Sequence, residues 1–403
     1  MLDKGSYYSS ERKMILLISG IITLTCTYAL IQYFKKKYKY WESRNVPYEK
    51  PTMFFGSFLR FCFEKDNLRK YLDRTGIKFD SPYYGFFVFS RPILVINDID
   101  IVKRIMIKDF ASFPNKLFFS DKNCDPVFNN SLFNTRGEEW KSIRYKLSPV
   151  FTSGKLKVMF SLIRECSESL ISYLEKMLDK DVEVTDVLSK FSTDVIASCA
   201  FGVKCNCFKM EMSDFQYYGE NIFSKGTIGI IKNLSYIFVH SIVKIFKYSY
   251  LNPNAVRYFR KVFQEVVKER TTHNLKRNDF VDILLDLKRN ETKFEKFVFD
   301  DERMLAQAIP FFAAGQETTT ALVSFTLHEL SLNNAIQKRL RQEIVDTVNK
   351  YGDISYEALK DMKYLKMVVS GKFLRFSYNN YRYFCRNVTQ IPRHQFSSKG
   401  IAR

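Results

Sequence analysis

The sequence AAGQETTT, at residues 313–320, places a carboxylate and three hydroxyls inside the apolar run IPFFAAGQETTTALVSF. On a helix, the hydroxyl of Thr318 can bond the carbonyl of Ala314 four residues earlier, and Gly315 makes local opening easier. A turn loosened in this way leaves room for a small ligand, and Glu317 with Thr318 could pass protons into the otherwise apolar site. Close helix packing through small residues would also explain the pattern, so spacing alone leaves both interpretations open.

A second candidate pair lies in GEEWKSIRYKL, at residues 137–147, where Trp140 and Arg144 are four residues apart. Residues at this spacing share one face of a helix. Their indole N–H and guanidinium could together hold an anionic group such as a carboxylate. An Arg packed over a partly buried Trp, with no ligand, would have the same pattern.

Eight cysteines are spread along the chain, and only Cys205 and Cys207 are close together. Their spacing differs from that of the CxxC pairs that bind zinc or exchange disulfides. The sequence therefore predicts reduced thiols and no cysteine metal site.

Helices must position these candidates, and helical periodicity covers most of the chain. The segment YYGFFVFSRPILVIN, at 83–97, differs because two β-rich runs that meet at Ser90, Arg91 and Pro92 predict a hairpin. The sequence thus predicts a mostly α protein with a small N-terminal β-sheet. Helices are predicted at 98–109, 137–147, 155–179, 183–202, 255–275, 279–289, 301–332, 334–350 and 355–370.

The run Met14–Phe34 contains no charged side chain across 21 residues. As a helix it is about 32 Å long, enough to cross a hydrocarbon core of about 30 Å. More positive charge follows the run, at 35–44, than precedes it, which predicts that the body stays cytosolic. A cleaved signal peptide is the alternative, but no small-residue cleavage site precedes the lysines.

The chain carries 63 Lys and Arg against 43 Asp and Glu, a net charge of +20. Such an excess favours an anionic membrane surface, a nucleic acid or an acidic protein partner. Nucleic acid is the poorest of these, because the basic residues are dispersed and no recognition motif occurs. Met362–Arg403 alone contains nine Lys or Arg and no acidic residue, which marks a break in composition.

Together and in this order, these stretches resemble the microsomal cytochrome P-450 family of haem-thiolate monooxygenases, most closely the insect-type branch that oxidises foreign compounds. The resemblance covers roughly residues 14–370. It joins the apolar anchor to the two candidate motifs and includes RPILVINDIDIVKRIMIKDF, TDVIASCAFGVKCN and SYEALKDMKYLKMVVS. Each piece is weak alone, and the combination is specific.

The resemblance implies roles for the first motif. Ala314, Gly315, Glu317 and Thr318, with Thr319 after them, match the family's oxygen-activating helix. Glu317 and Thr318 would serve oxygen activation and proton relay, while Ala314 and Gly315 would form the oxygen groove.

The resemblance also implies a haem cofactor, and Trp140 and Arg144 match the pair that hydrogen-bonds a haem propionate. Electrons would come from NADPH through a reductase, an acidic partner that suits a basic surface. The aromatic segment 110–133 would correspond to a substrate-contacting loop.

Two family features have no counterpart after residue 370. A Glu-x-x-Arg pair should follow, but the sequence is GKFLR, with Lys372 three residues before Arg375. The cysteine loop that supplies the axial thiolate is absent as well, because the residues around Cys385 do not match it. The chain therefore resembles a C-terminally truncated or frame-shifted member, and we expect it not to hold haem stably or to be active alone.

The predicted organisation is a lumenal N-terminus (1–13), a transmembrane signal anchor (14–34), a basic, Pro-containing linker (35–56), a cytochrome P-450-like domain without its haem-ligand portion (57–370) and an aberrant basic tail (371–403). The leading hypothesis is a monooxygenase of the endoplasmic reticulum membrane that oxidises lipophilic small molecules or xenobiotics. The alternative is a non-catalytic membrane-anchored remnant or interaction protein, for instance one that competes for the reductase.

Overall fold

The computed structural model describes residues 4–63, 68–119, 121–290 and 299–378, with the side chains of 4–13, 61–63, 68–69 and 372–378 excepted. Cys385 and the predicted tail from residue 379 onward lie outside the described residues. The chain divides into two compact units, Met1–Pro114 and Asn115–Arg403.

The first unit combines a long apolar helix with short helices and a hairpin. Its elements are α1 (Lys4–Tyr38), α2 (Phe58–Phe63), α3 (Leu68–Phe79), β1 (Tyr83–Val88), β2 (Arg91–Ile96) and α4 (Ile99–Lys103). α1 includes the whole of the predicted span, and its apolar stretch is exposed. Within the described parts of the chain, this is the one unbroken helix long and apolar enough to cross a membrane.

The predicted hairpin is present, but its turn is shorter than the sequence suggested. β1 and β2 pair antiparallel from Tyr83 opposite Ile96 to Val88 opposite Arg91. The prediction that Arg91 and Pro92 belong to the turn was wrong, because both lie in β2. A two-residue turn needs a positive φ, which Phe89 supplies at 53°, and a proline is tolerated on an edge strand.

The regular elements described in the second unit are helices, joined by loops. Its helices are α5 (Pro126–Asn130), α6 (Gly137–Leu147), α7 (Ser153–Glu175), α8 (Val184–Ile196), α9 (Asp214–Glu220), α10 (Gly226–Phe238), α11 (His240–Phe246), α12 (Pro253–His273), α13 (Phe280–Arg289), α14 (Asp301–Leu332), α15 (Asn334–Tyr351), α16 (Tyr356–Asp361) and α17 (Lys363–Tyr378). The described residues thus confirm a mostly α protein with a small sheet near its N-terminus.

The single helix predicted at 355–370 is two helices, α16 and α17, that break at Met362. Glu343 of α15 explains the break, because its carboxylate accepts hydrogen bonds from the backbone N–H groups of Tyr364 (2.7 Å) and Leu365 (2.8 Å). A carboxylate at a helix N-terminus satisfies donors that have no partner within the helix.

α14 lies in the hydrophobic core of the second unit. Asp300 caps its N-terminus by accepting from the Arg303 N–H at 2.9 Å, and residues 304–309 are all buried. Further along, the ring of Phe312 lies 5.2 Å from those of both Phe215 and Phe259, in offset or edge-on contacts that favour aromatic packing. These contacts fix α14 within its unit before any polar interaction is counted.

A buried ion pair sits beside a glycine that the fold requires. Arg270 is 3% exposed and bonds both carboxylate oxygens of Asp279, at 2.6 and 2.5 Å, and one of Asp282 at 2.7 Å. Gly202 has a φ of 67°, and a Cβ there would lie 1.9 Å from Arg270 Nη2. The glycine therefore serves both the left-handed backbone and the ion pair.

We predict that Gly202→Ala lowers the free energy of unfolding by about 3–5 kcal/mol, because the new methyl displaces Arg270 from its buried partners. Gly352→Ala is the matched control, since Gly352 also has a positive φ (77°) but nothing within 4 Å of its Cβ position. Backbone strain alone should cost that variant about 1–2 kcal/mol. Denaturant unfolding in detergent measures both, and equal losses would contradict the prediction.

Candidate active site

The motif at 313–320 lies on α14, and helical geometry sorts its residues onto two faces. Ala314, Glu317 and Thr318 are exposed and lie within one turn of each other. Gln316 and Thr320, on the opposite side, are only 8% and 7% exposed. The structure therefore brings three of the predicted site residues to one open face. It buries Gln316 and Thr320 on the other face.

The hydroxyl of Thr318 donates to the carbonyl of Ala314 at 2.6 Å, which confirms the predicted bond. The backbone nevertheless remains α-helical from Asp301 to Leu332, so the loosened turn that the sequence suggested is not present. A threonine hydroxyl can share a carbonyl with the backbone N–H instead of displacing it.

Gly315 is explained by helix packing. A Cβ at Gly315 would lie 2.4 Å from the Cδ1 of Ile196, in α8. Gly315 is half-buried and faces α8, whereas Ala314 is exposed. The packing interpretation that the sequence left open therefore accounts for this residue, and the oxygen-groove role assigned to it remains a prediction.

α8 also holds the buried polar residues of the motif. The amide of Gln316 donates to the hydroxyl of Ser189 at 2.9 Å, and the hydroxyls of Thr320 and Ser192 are 2.7 Å apart. Sequence reasoning missed this set, because nothing near residues 189–192 indicates which helix they face. These contacts fix the rotation of α14 about its own axis.

Trp140 and Arg144 lie on α6, as predicted, with Trp140 half-buried and Arg144 exposed. The guanidinium of Arg144 makes no hydrogen bond or ion pair within the described part of the chain, so it is available to an anion. Its helix is tied to α14 by an ion pair between Glu139 and Arg303, at 3.0 Å. Arg303 is about 16 Å along the helix axis from Ala314.

The aromatic residues of the segment 110–133 pack on one another and on aromatic residues of 236–250. The rings of Phe118 and Phe128 are 5.4 Å apart, and Tyr250 lies 5.2 and 4.5 Å from them. The segment also reaches α14, because the side chain of Gln307 accepts from the Leu132 N–H at 2.8 Å and donates to a neighbouring carbonyl. It therefore adjoins α14 at 307, nearly two turns before the motif.

A cavity of about 290 Å³ lies elsewhere, beside α5 and the start of α12. Its lining includes Leu251, Val256 and Arg257 and residues 124–127 of the segment predicted to contact substrate, but none of the predicted oxygen-activating or haem-binding residues.

Four of the described cysteines have a thiol pKa that is raised above its ordinary value. Burial raises the pKa of Cys124, and it raises those of Cys166 and Cys199 to about 12. A hydrogen bond with Cys207, together with burial, raises the pKa of Cys205. Among the described residues, no group of three or more His, Cys, Asp or Glu side chains could hold a metal ion.

Comparison with known proteins decides the family. The family model for cytochrome P450 matches residues 46–376. Cytochrome P450 6k1 of Blattella germanica is 33% identical over 369 residues, which cover 87% of this chain and 70% of that protein. Cytochrome P450 6a9 of Drosophila melanogaster is 34% identical over 365 residues, which cover 87% of this chain and 71% of that protein.

The chain belongs to the cytochrome P450 family. The predicted resemblance is thereby confirmed, as are the cytochrome P450-like fold and the class of enzyme, an oxidoreductase of the monooxygenase type. Family membership also implies a haem cofactor, a redox partner and lipophilic substrates.

The described residues include side chains of the types that a haem site uses. The open face of α14 and the unpaired guanidinium of Arg144 suit the oxygen side and a propionate. The axial ligand of this family is a cysteine thiolate, and Cys124 and Cys199 lie in the hydrophobic core of the second unit. None of the six cysteines whose side chains the structure describes lies on α6 or α14.

We predict that Gly315→Ala lowers the free energy of unfolding by about 1–3 kcal/mol, because its methyl would overlap Ile196. Removing the Ile196 side chain should reverse the sign of this change in the free energy of unfolding. In an Ile196→Ala background the same change should stabilise by up to about 1 kcal/mol, the helix preference of alanine over glycine. Unfolding of the four chains in a double-mutant cycle measures the coupling, and strictly additive changes would refute the packing account.

Proposed function

We propose that this chain is the membrane-anchored, oxygen-side portion of a cytochrome P450 monooxygenase that oxidises lipophilic small molecules or xenobiotics. The observation that supports it is the two-faced motif of α14, with Ala314, Glu317 and Thr318 open and Gln316 and Thr320 locked behind them. Bound haem would supply the activation of dioxygen. The chain's own residues would form the substrate pocket and carry protons to it.

In this proposal, Thr318 and Glu317 form the proton path. The Thr318 hydroxyl both donates and accepts, so it can pass on a proton while it bonds the carbonyl of Ala314. Glu317, one residue earlier on the same open face, can exchange protons with solvent. Ala314 leaves this open helix surface free of a bulky side chain, and the oxygen-groove role of Gly315 remains a prediction.

Trp140 and Arg144 are proposed to bind a haem propionate. The Arg144 guanidinium has no other anionic partner among the described residues, and the indole N–H of Trp140 lies one turn before it on α6.

The second part of the proposal concerns whether the 403-residue polypeptide can retain haem. Its residues 371–403 contain no acidic residue for a Glu-x-x-Arg pair and no cysteine in a haem-binding loop. We therefore propose that this polypeptide does not retain haem alone. A non-catalytic membrane-anchored protein that competes for the reductase is the second candidate, and the +20 charge favours such an acidic partner.

Membrane attachment is proposed through α1, in the endoplasmic reticulum, with the body in the cytosol. Lys35, Lys36 and Lys37 follow the apolar stretch and favour this orientation. α10 and α11, bent by 111° at their junction, expose Ile245 (73%) and Phe246 (72%). Apolar side chains of this size at the surface also suit lipid contact.

We predict that replacing residues 371–403 by the corresponding portion of cytochrome P450 6k1 yields a haem-loaded chimera, whereas the 403-residue polypeptide gives no Soret band of thiolate-ligated haem after reduction and carbon monoxide treatment. In the chimera, Thr318→Val should lower product formation with reductase and NADPH by about a hundredfold, because the proton path is lost.

Thr318→Ser is the matched control, since it retains the hydroxyl and should keep most of the activity. In Thr318→Val, NADPH consumption should continue and yield hydrogen peroxide. Equal product yield per NADPH in the Val and Ser variants would contradict the proposed relay, and a thiolate-haem Soret band from the 403-residue polypeptide would contradict the proposed limit.

A further inference from the structure

The buried face of α14 contacts α9 as well as α8, directly behind the motif. Phe312 and Gln316 are four residues apart and share this face. A Cβ at Gly219, in α9, would lie 2.4 Å from the ring of Phe312. The end of α9 therefore fits α14 closely only because residue 219 has no side chain.

A chain of hydrogen bonds runs from Gln316 to the next residue of α9. The Gln316 amide donates to the Ser189 hydroxyl at 2.9 Å, and this hydroxyl donates to Glu220 Oε1 at 3.0 Å. The Gln216 amide also donates to Glu220 Oε1, at 3.0 Å. Glu220 is thus the acceptor at which two donor side chains meet, and the chain crosses three helices.

We propose that Glu220 is a positioning residue that acts through Ser189 and Gln316 to fix the rotation of the α14 turn bearing Glu317 and Thr318. The inference rests on the proposed function and deepens it, because it names what holds the proton path in register. It also means that a change at the end of α9 should alter the orientation of the motif on α14.

Two of the three linked side chains are buried, whereas Glu220 is half-buried. Gln316 and Ser189 are 8% and 9% exposed, so solvent offers their polar groups little compensation. A carboxylate acceptor strengthens the bond from Ser189, and its removal would leave buried donors without partners. Gln316 immediately precedes Glu317, so a rotation of this turn moves Glu317 and Thr318 with it.

Backbone amide exchange of the full chain in detergent micelles tests the proposal without haem or turnover. We expect Glu220→Ala and Ser189→Ala to speed exchange of the amides of 314–321 by about three- to tenfold, the factor that one lost hydrogen bond supports. Exchange in α12, at 259–266, should not change. Glu220→Gln should behave like the parent, because its amide oxygen can still accept from Ser189.

Thr326→Val is the matched control, since the Thr326 hydroxyl bonds the carbonyl of Leu322 within α14. It should leave 314–321 unchanged. The proposal is overturned if Ser189→Ala leaves exchange at 314–321 unchanged, if α12 speeds up by the same factor, or if Glu220→Gln behaves like Glu220→Ala. Should Glu220→Ala not fold, Ser189→Ala, which removes one oxygen atom, decides. Because no haem is needed, failure of the chimera would leave this result standing.

Discussion

The close contact between α8 and α14 is the constraint on which the candidate site depends. Gly315 has no side chain where Ile196 needs space, so the two helices approach closely at the motif. Ser189 and Ser192 then bond Gln316 and Thr320 across the interface. With that face committed to α8, helical geometry directs Ala314, Glu317 and Thr318 to the other side.

The division of α14 into a buried and an exposed face explains why polar residues occur inside an apolar sequence. A carboxylate and several hydroxyls in a core helix are costly if they lie on one buried face. Here Thr320 is buried with a hydroxyl partner, whereas Thr318 and Glu317 are exposed. Of the five polar residues at 316–320, two are buried and stabilise packing, and three are exposed.

Local periodicity predicted much of the fold. α14 was predicted at 301–332 and has those bounds, because its N-cap and apolar pattern are signals within the segment itself. The bond from Thr318 to Ala314 was likewise predictable from a spacing of four residues. α9, α10 and α11 were missed, since 207–250 mixes glycine, lysine and aromatic residues without a clear helical period.

The rest depended on partners that are distant in sequence. The reason for Gly315 is Ile196, and the partner of Gln316 is Ser189, on another helix. No local pattern identifies such pairs. The break at Met362 has the same origin, because the capping carboxylate belongs to Glu343 in a different helix.

The residues that show family membership are different from the residues that would bind the haem iron. Family membership rests on 46–376, a range that includes the motif and both residues of the proposed propionate pair. Cys124 and Cys199 lie in the hydrophobic core of the second unit, on neither α6 nor α14. Membership is therefore established by the match over 46–376, whereas the oxygen-side and propionate roles are proposals.

An aspartate scan of 314–320, one position at a time, with the free energy of unfolding as the readout, tests the two-faced orientation of α14 most directly. The account predicts a helical periodicity, with Ala314→Asp and Thr318→Asp tolerated and Gln316→Asp and Thr320→Asp destabilised by several kcal/mol through buried, unpaired charge. A flat profile, or one in which Ala314 and Thr318 are the sensitive positions, would contradict it.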